Sequence, residues 1–356
     1  MKKLICTLAA ACAAHAGTLF LGAYPNSVLV FDEGQGKIVG RIPLTTGLPS
    51  SLRLSQDRKT IYVTTLDHSG VEVIDVATRK VTNKFVLDTE TRRYRLYGGT
   101  PDPEGKLIYT TTTEIDKQAD RYEIAKPKYT VIDLSGQKIA RTVEMPREEQ
   151  NAFGGRGGFE VSPDGKYLYQ FRENVIILNA ADFKEVDRID LAKPELPGLE
   201  TIGFGGLLDS ISEPGQRVTL VISTDPVVHN RVFGIGRFDL ATRKFSFTPI
   251  GPAPAAMSGF HVAPDKKSAY TVISNGQHGN KRCEFWAFDL GTNRISKTAE
   301  VPCRTRFSFG MSTDGKKLYL YGAGFEIEVY DAATLKYERT WDLNNDVTMA
   351  GMIALP

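Results

Sequence analysis

An internal repeat constrains the fold of this chain more than any other feature. An apolar strand ending in Asp or Asn, a short polar turn and a second strand recur seven times, as in VLVFDEGQGKIVGRI and VEVIDVATRKVTNKF. We call these copies units one to seven. Their anchor residues are separated by 43, 58, 46, 60, 50 and 42 residues and are Asp32, Asp75, Asp133, Asn179, Asp239, Asp289 and Asp331.

A second motif precedes most anchors. It is an apolar strand, a turn built from Pro, Asp and Gly, and another strand, as in FEVSPDGKYLYQF and FGMSTDGKKLYLY. Pro presets φ, Asp bonds the following backbone and Gly accepts a positive φ. The pattern therefore gives these acidic residues a structural role in turns and not a catalytic one.

The two motifs together predict four short strands per unit. That content, at this period and without long helical periodicity, is typical of a propeller blade. We expect an all-β, seven-bladed β-propeller with four-stranded antiparallel blades, forming one domain over residues 17–356. Segment 347–355 should close the ring by joining the N-terminal blade, and the core between blades should include Phe159, Phe204, Phe260 and Phe309.

Composition narrows the class of protein. The chain has 356 residues, of which 41% are hydrophobic and 24% charged, so it can bury a large core and is neither disordered nor collagen-like. Lys and Arg number 44 and Asp and Glu 42, and Lys2 and Lys3 lie in a leader. A chain without them is neutral, so it offers no general basic field for nucleic acid or anionic membranes.

Residues 1–16, MKKLICTLAAACAAHA, have the pattern of a secretory signal peptide. A basic start precedes a short apolar run and a small-x-small ending, so cleavage is expected after Ala16. The run is too short for a membrane-spanning helix. We therefore expect a periplasmic or secreted protein. Lipid attachment at Cys12 is an open alternative, although Ala9 stands where a larger aliphatic residue is usual.

Cleavage would leave two cysteines, Cys283 and Cys303. They flank a predicted hairpin, and two thiols in an oxidising compartment favour one disulfide. Two free thiols are the alternative, because Cys303 lies a few residues beyond the simplest register.

The long connections all belong to one face of the predicted ring. They follow the second and fourth strands of the blades, and functional residues concentrate in such loops. His68, His229 and His278 lie there, on three different blades, without the spacing of metal ligands, so no metal site is predicted. His261 on an inner strand is a candidate for the axial channel, as a hydrogen-bonded core imidazole or as a base.

Motifs of known chemistry are missing from the sequence. It contains no CxxCH for haem attachment, no Walker loop, no HExxH and no GxSxG. The glycine-rich segment 154–158 leads into a strand and lacks the helix N-terminus of a phosphate loop. No catalytic residue and no bound cofactor are therefore predicted in this chain.

Several segments resemble known propellers. IYVTT at 61–65 is similar to the broad YVTN-type β-propeller repeat. GAYPNSVLVFD at 22–32, YEIAKPKYTVIDL at 122–134 and the segment 311–355 resemble the β subunit of quinohemoprotein amine dehydrogenase.

That resemblance implies a periplasmic complex that oxidises small primary amines. In it the propeller seats a small subunit carrying cysteine tryptophylquinone beside a dihaem cytochrome c subunit with haem c, and it walls the amine pocket. The resemblance assigns no loop residue. The candidates for contact with a partner or ligand are therefore taken from the long loops: Tyr122, Phe153 and Arg156, together with His68, His229 and His278.

Other hypotheses stay open at this point. The chain could be a standalone secreted or surface YVTN-type propeller that binds or scaffolds without catalysis, or a self-sufficient enzyme. The candidate loop residues could equally be ordinary solvated residues. Loop chemistry without loop geometry does not specify a ligand.

Overall fold

The computed structural model describes residues 17–152, 158–172, 174–191, 201–204, 215–225, 227–304, 307–322 and 324–356. The expected leader, residues 1–16, lies outside these ranges. Within them, no helix is long and apolar enough to cross a membrane.

Short strands make up most of the described chain. Units one to three contain β1 (Thr18–Ala23), β2 (Ser27–Asp32), β3 (Lys37–Pro43), β4 (Pro49–Leu54), β5 (Thr60–Thr65), β6 (Gly70–Asp75), β7 (Lys80–Val86), β8 (Arg92–Pro101), β9 (Leu107–Lys117), β10 (Tyr122–Ile124), β11 (Lys128–Asp133) and β12 (Lys138–Glu144). A short helix, α1 (Arg147–Ala152), follows.

Units four to seven continue the pattern. They contain β13 (Glu160–Val161), β14 (Tyr167–Phe171), β15 (Asn174–Asn179), β16 (Glu185–Asp190), β17 (Thr201–Phe204), β18 (Gln216–Thr224), β19 (Arg231–Asp239), β20 (Phe245–Pro252), β21 (Ala256–Val262), β22 (Ser268–Asn275), a 3-10 turn (His278–Asn280), β23 (Arg282–Asp289), β24 (Arg294–Val301), β25 (Ser308–Met311), β26 (Lys317–Tyr321), β27 (Gly324–Asp331) and β28 (Tyr337–Leu355).

The strands form an all-β propeller of antiparallel sheets. Units two to six each make a separate sheet, with the strand orders β4-β5-β6-β7, β8-β9-β11-β12 with β10 added, β13-β14-β15-β16, β17-β18-β19-β20 and β21-β22-β23-β24. Units one and seven share one seven-stranded sheet of order β25-β26-β27-β28-β1-β2-β3.

The expectation of a seven-bladed propeller is therefore wrong. The structure has five separate blades, formed by units two to six, and one seven-stranded sheet that units one and seven share. The reason is β28, a strand of 19 residues that belongs to two units. Its first half pairs with β27, for example Ile327 with Trp341, and its second half pairs with β1, from Ala23 opposite Val347 to Thr18 opposite Leu355. The backbone ladder thus runs from unit seven into unit one without a break.

The seven anchors end the strands before the tight turns. Each anchor is the last residue of its strand, and its side-chain oxygen accepts hydrogen bonds from backbone N–H groups of the following turn. In the six aspartates, hydrogen bonds from the turn hold the pKa below its usual value. The acids of the second motif do the same in their own turns, since Asp164, Asp265 and Asp314 accept from the N–H groups of Lys166, Lys267 and Lys316. Their predicted structural role is confirmed.

Buried apolar side chains lie between consecutive units. The described residues form seven such clusters, and each joins one unit to the next around the ring. Phe159, Phe260 and Phe309 are 1%, 2% and 5% exposed within them, as predicted. The side chain of Phe204 lies outside the described part. The units are thus held by apolar packing even where no ladder connects their sheets.

We predict that deletion of residues 347–356 lowers the unfolding temperature or leaves the protein aggregated. The deletion unpairs one edge of β1 and removes Ile353 and Leu355, which are 3% and 6% exposed. Thermal unfolding and gel filtration measure the effect, and deletion of the exposed Pro356 alone is the control. Unchanged unfolding of the long deletion would contradict the role of this strand in closure.

Candidate functional site

The two faces of the propeller differ in their connections. One face, which we call the short-turn face, carries the turns between first and second strands and between third and fourth strands. The opposite face carries the connections after the second and fourth strands, including the segment between β9 and β11, and we call it the long-loop face. The predicted asymmetry of loop length holds in most units. It is wrong in unit five, where the connection between the first and second strands, β17 and β18, spans residues 205–215 on the short-turn face.

Exposed apolar side chains concentrate on the long-loop face. The described residues include twelve large hydrophobic side chains that are exposed, and nine of these lie in or beside connections of this face. The nine are Tyr24, Leu66, Val86, Tyr122, Ile124, Val227, Val228, Phe325 and Met349. Single exposed apolar residues need no explanation, whereas their concentration on one face is typical of an interaction surface.

A three-stranded extension of the unit-three sheet is the most prominent feature of this face. β9 continues beyond the start of β11, so that residues 113–117 pair with residues 92–95 of β8 on one side and with β10 on the other. We call residues 92–95, 113–117 and 122–124 the arm. Tyr122 and Ile124 are 63% and 71% exposed, and they alternate with Glu123 on β10.

Ion pairs fix β9 of the arm to its neighbours β8 and β11. Nε of Arg92 lies 2.6 Å from Oδ1 of Asp116, and its Nη2 donates to Oδ2 at 3.0 Å. Nζ of Lys128 on β11 donates to Oε1 of Glu114 at 3.1 Å. The bidentate contact of Arg92 defines geometry more than an ordinary surface pair does. β10, which carries Tyr122 and Ile124, is held to β9 by the backbone ladder.

A cavity of about 530 Å³ lies between the base of the arm and unit two. This volume falls in the range typical of sites for small molecules, roughly 300–1,000 Å³. Its polar and apolar lining includes Ser51, Leu66, Asp67, Asp88, Arg93, Tyr94, Arg95, Tyr97 and Ile115. Two carboxylates and two guanidinium groups balance, so the lining selects neither sign of ligand charge.

The walls of this cavity are held by local hydrogen bonds. The hydroxyl of Ser69 donates to the carbonyl of Tyr94, and the Tyr94 N–H donates to Asp88 Oδ1 at 3.0 Å. The guanidinium of Arg95 lies over the ring of Tyr97, 5.0 Å from its centroid. We call this space the arm cavity.

Buried carboxylates anchor two connections of the long-loop face. Glu72 is fully buried, and its Oε1 accepts from the N–H groups of Thr45 and Thr46 at 2.6 and 2.8 Å. Glu149 of α1 accepts from Arg172 and Arg188 at 2.5 and 3.1 Å. Removing one partner of such buried groups is costly, so these contacts hold the connections in place.

Cys283 and Cys303 are joined in a disulfide on the same face, with their Cα atoms 5.3 Å apart. Cys283 pairs with Val301 in the hairpin, and Cys303 lies two residues further along. A bulge between Ala287 and Phe288 shifts the register by one residue toward Cys303, which accounts for part of its apparent overshoot. The bond ties the connection from unit six to unit seven to the hairpin.

The structure separates most of the predicted site residues. Tyr122 lies on the arm, whereas Phe153 and Arg156 fall outside the described residues, so their expected proximity to Tyr122 stays a prediction. His68 and His229 are exposed in the connections of units two and five. His278 starts the 3-10 turn of unit six, and its side chain is outside the described part. The structure therefore does not bring the three histidines into one unit.

His261 lies on β21 and is partly buried. Its ring packs edge-on against Phe309, with the centroids 4.5 Å apart, which favours the interpretation as a core imidazole. Across the described ranges, no group of three His, Cys, Asp or Glu residues could hold a metal ion.

Sequence reasoning missed the residues that shape the arm cavity and the arm itself. The pairing of Arg92 with Asp116 depends on the strand register, which the sequence pattern does not specify. Among the buried anchors of this face, Glu72 could have been noticed in the sequence, since it is a charged residue inside the apolar strand GVEVID.

Comparisons with known proteins support the fold. The chain is similar to dihydro-heme d1 dehydrogenase NirN in complex with DHE, with a TM-score of 0.52 and 15% identity over 95% of this chain and 75% of that one. It is also similar to a functionally unknown protein from Desulfotomaculum acetoxidans DSM 771, with a TM-score of 0.54 and 11% identity over 94% and 99%. The β-propeller domain of Myceliophteria thermophila Cps50 (Swd1) gives 0.53 and 10% over 86% and 90%.

No protein-family model matches the chain, and no curated protein sequence matches it. The structural similarities lie at low identity and show the β-propeller fold alone. They do not show the resemblance to the amine dehydrogenase β subunit that the sequence segments suggested.

We predict that replacing both Cys283 and Cys303 by Ser lowers the free energy of unfolding by about 3 kcal/mol, because a closed loop of this length restricts the unfolded chain. Chemical denaturation with and without reductant measures the loss, and the double variant itself controls for effects of the reductant elsewhere. Two titratable thiols in the native, oxidised protein would contradict the disulfide.

Proposed function

We propose that this protein is a non-catalytic propeller subunit that docks a partner protein on its long-loop face. The observation that carries this proposal is the concentration of exposed apolar side chains on that face. The short-turn face differs where it is described, since the turns between third and fourth strands are polar and closed by hydrogen bonds to their anchor residues. Burying the exposed apolar groups against a partner would be favourable, and aromatic anchors are typical of such interfaces.

The arm gives the docking face its specific feature. β10 is a short edge strand whose three side chains are all exposed, and within the described residues it pairs with β9 alone. Proteins usually cover or blunt such an edge. A partner that packs on Tyr122 and Ile124 would cover it, so the arm is the proposed centre of the interface.

The partner that we propose follows from the sequence resemblance. It is a small quinone-bearing subunit of a periplasmic, quinohemoprotein amine dehydrogenase-like complex, with a dihaem cytochrome c subunit beside it. Cysteine tryptophylquinone and haem c would belong to those partners. This chain has no CxxCH motif, and Cys283 and Cys303 are bonded to each other, so its own residues do not fit either covalent group.

A standalone binding propeller is the second candidate function. The arm cavity favours it, because a space of about 530 Å³ beside Tyr94 and Tyr97 suits a small molecule. The two candidate functions differ in whether a partner protein or a small molecule occupies the long-loop face. Purification from the native host distinguishes them, because a partner protein would co-purify.

We predict that the double variant Tyr122→Ser and Ile124→Ser weakens partner binding at least tenfold, because it removes the exposed apolar groups of the arm. The measurement is co-purification of the tagged protein from its native host, followed by haem staining and amine-dependent dye reduction.

The matched control is the double variant Tyr337→Ser and Val186→Ser. Tyr337 and Val186 are 56% and 47% exposed and lie on outer strands away from the long-loop face. A protein that elutes alone and gains no activity on mixing with candidate subunits would contradict the subunit proposal. Equal binding by both double variants would contradict the role of the arm.

A further inference from the structure

A second cavity opens at the other end of the inner strands, on the short-turn face. It has a volume of about 130 Å³ and is formed where units two, three, four and five meet. Its polar lining includes Arg53 of β4, Arg58 of the following turn, Glu160 of β13 and Arg217 of β18. The arm and the docking face lie on the opposite side of the propeller.

Among the described lining residues, one carboxylate is present and it is already engaged. Glu160 forms an ion pair with Arg217, and the side chains of both are nearly buried, at 12% and 11% exposure. Arg53 forms no ion pair with a described residue. Arg53 therefore has no counter-ion within the described part of the lining.

Arg53 is also short of hydrogen bonds. Its Nε atom is buried and has no hydrogen-bond partner among the described residues. Its Nη2 lies beside Gly158, where an added Cβ would sit 3.4 Å away. The Arg53 side chain as a whole is partly buried. A buried N–H group without an acceptor is costly in free energy, so a ligand that supplies negative charge and acceptor oxygens would be favoured there.

We propose that this cavity binds a small oxyanion, through a phosphate or carboxylate group, with Arg53 as its main contact. The planar guanidinium group presents paired N–H donors that match the oxygens of either group. The volume is roughly four times the ~30 Å³ that one water occupies in the liquid, which suits a group of a few heavy atoms.

Isothermal titration calorimetry of the full chain at low ionic strength tests the proposal, with inorganic phosphate as the titrant in one experiment and acetate in a second. At least one anion should bind the wild type, and Arg53→Met should weaken that binding at least tenfold. The matched control is Arg339→Met, which removes the same charge from an exposed position on β28. If only one of the two anions binds, that result identifies whether the cavity takes a phosphate group or a carboxylate group.

Thermal unfolding separates a ligand contact from a structural role. The bound anion should raise the unfolding temperature of the wild type and of Arg339→Met, but not that of Arg53→Met. Without anion, Arg53→Met should unfold at the same temperature as the wild type or higher, because it removes an uncompensated charge.

Three results would overturn the proposal. They are absence of binding of both anions to the wild type, equal binding by Arg53→Met, and a lower unfolding temperature of Arg53→Met in a protein that does not respond to either anion. None of them bears on docking at the long-loop face, which is measured with a different partner and different variants.

Discussion

The shared strand β28 is the constraint on which the rest of the propeller depends. A ring of sheets has a first and a last unit, and each would otherwise leave backbone N–H and C=O groups unpaired at an open edge. β28 pairs with β27 through its first half and with β1 through its second half. Leu19 and Leu21 of β1 pack toward unit seven, while Phe20 packs toward unit two. The apolar clusters therefore continue through the closure.

The turn anchors explain why the two faces of the propeller differ in the length of their connections. Each anchor satisfies backbone N–H groups of its own turn, so the short-turn face needs few long-range contacts to keep its shape. The long-loop face has a turn of this kind at Asp225 and also uses buried carboxylates, the disulfide and the ion pairs of β9. Contacts between distant residues allow longer and more varied connections, and those connections carry the exposed apolar groups.

Much of the fold could be predicted from the sequence. The repeat predicted the propeller, the anchor turns, the partner strand of segment 347–355 and the Phe residues between units, because each depends on local pattern and periodicity. The number of separate blades could not be predicted in this way. Whether two neighbouring units share a ladder depends on the path of the chain between them, and in β28 the register shifts between Asp342 and Val347 without ending the strand.

The site was less predictable than the fold, for a physical reason. Tyr122 was identified as an anchor in a long insertion, whereas Leu66, Val227 and Val228 were not singled out, because the sequence of a connection does not show which of its apolar residues are exposed. Their exposure follows from how the connections fold over the blades. Arg53 likewise resembles any polar residue of a strand, and its lack of a partner becomes visible only when Glu160 is seen to be engaged by Arg217.

The inner strands β4 and β8 connect the two faces. Ser51 of β4 lines the arm cavity and Arg53, two residues further, lines the second cavity, on the short-turn face, while β8 contributes Tyr97 to the first and Thr100 to the second. A strand advances about 3.3 Å per residue, so the two cavities lie roughly 7 Å apart along β4. Both strands are fixed by ladders and apolar packing, which gives each cavity a rigid wall. One pair of strands can therefore support a docking face at one end and a charged pocket at the other.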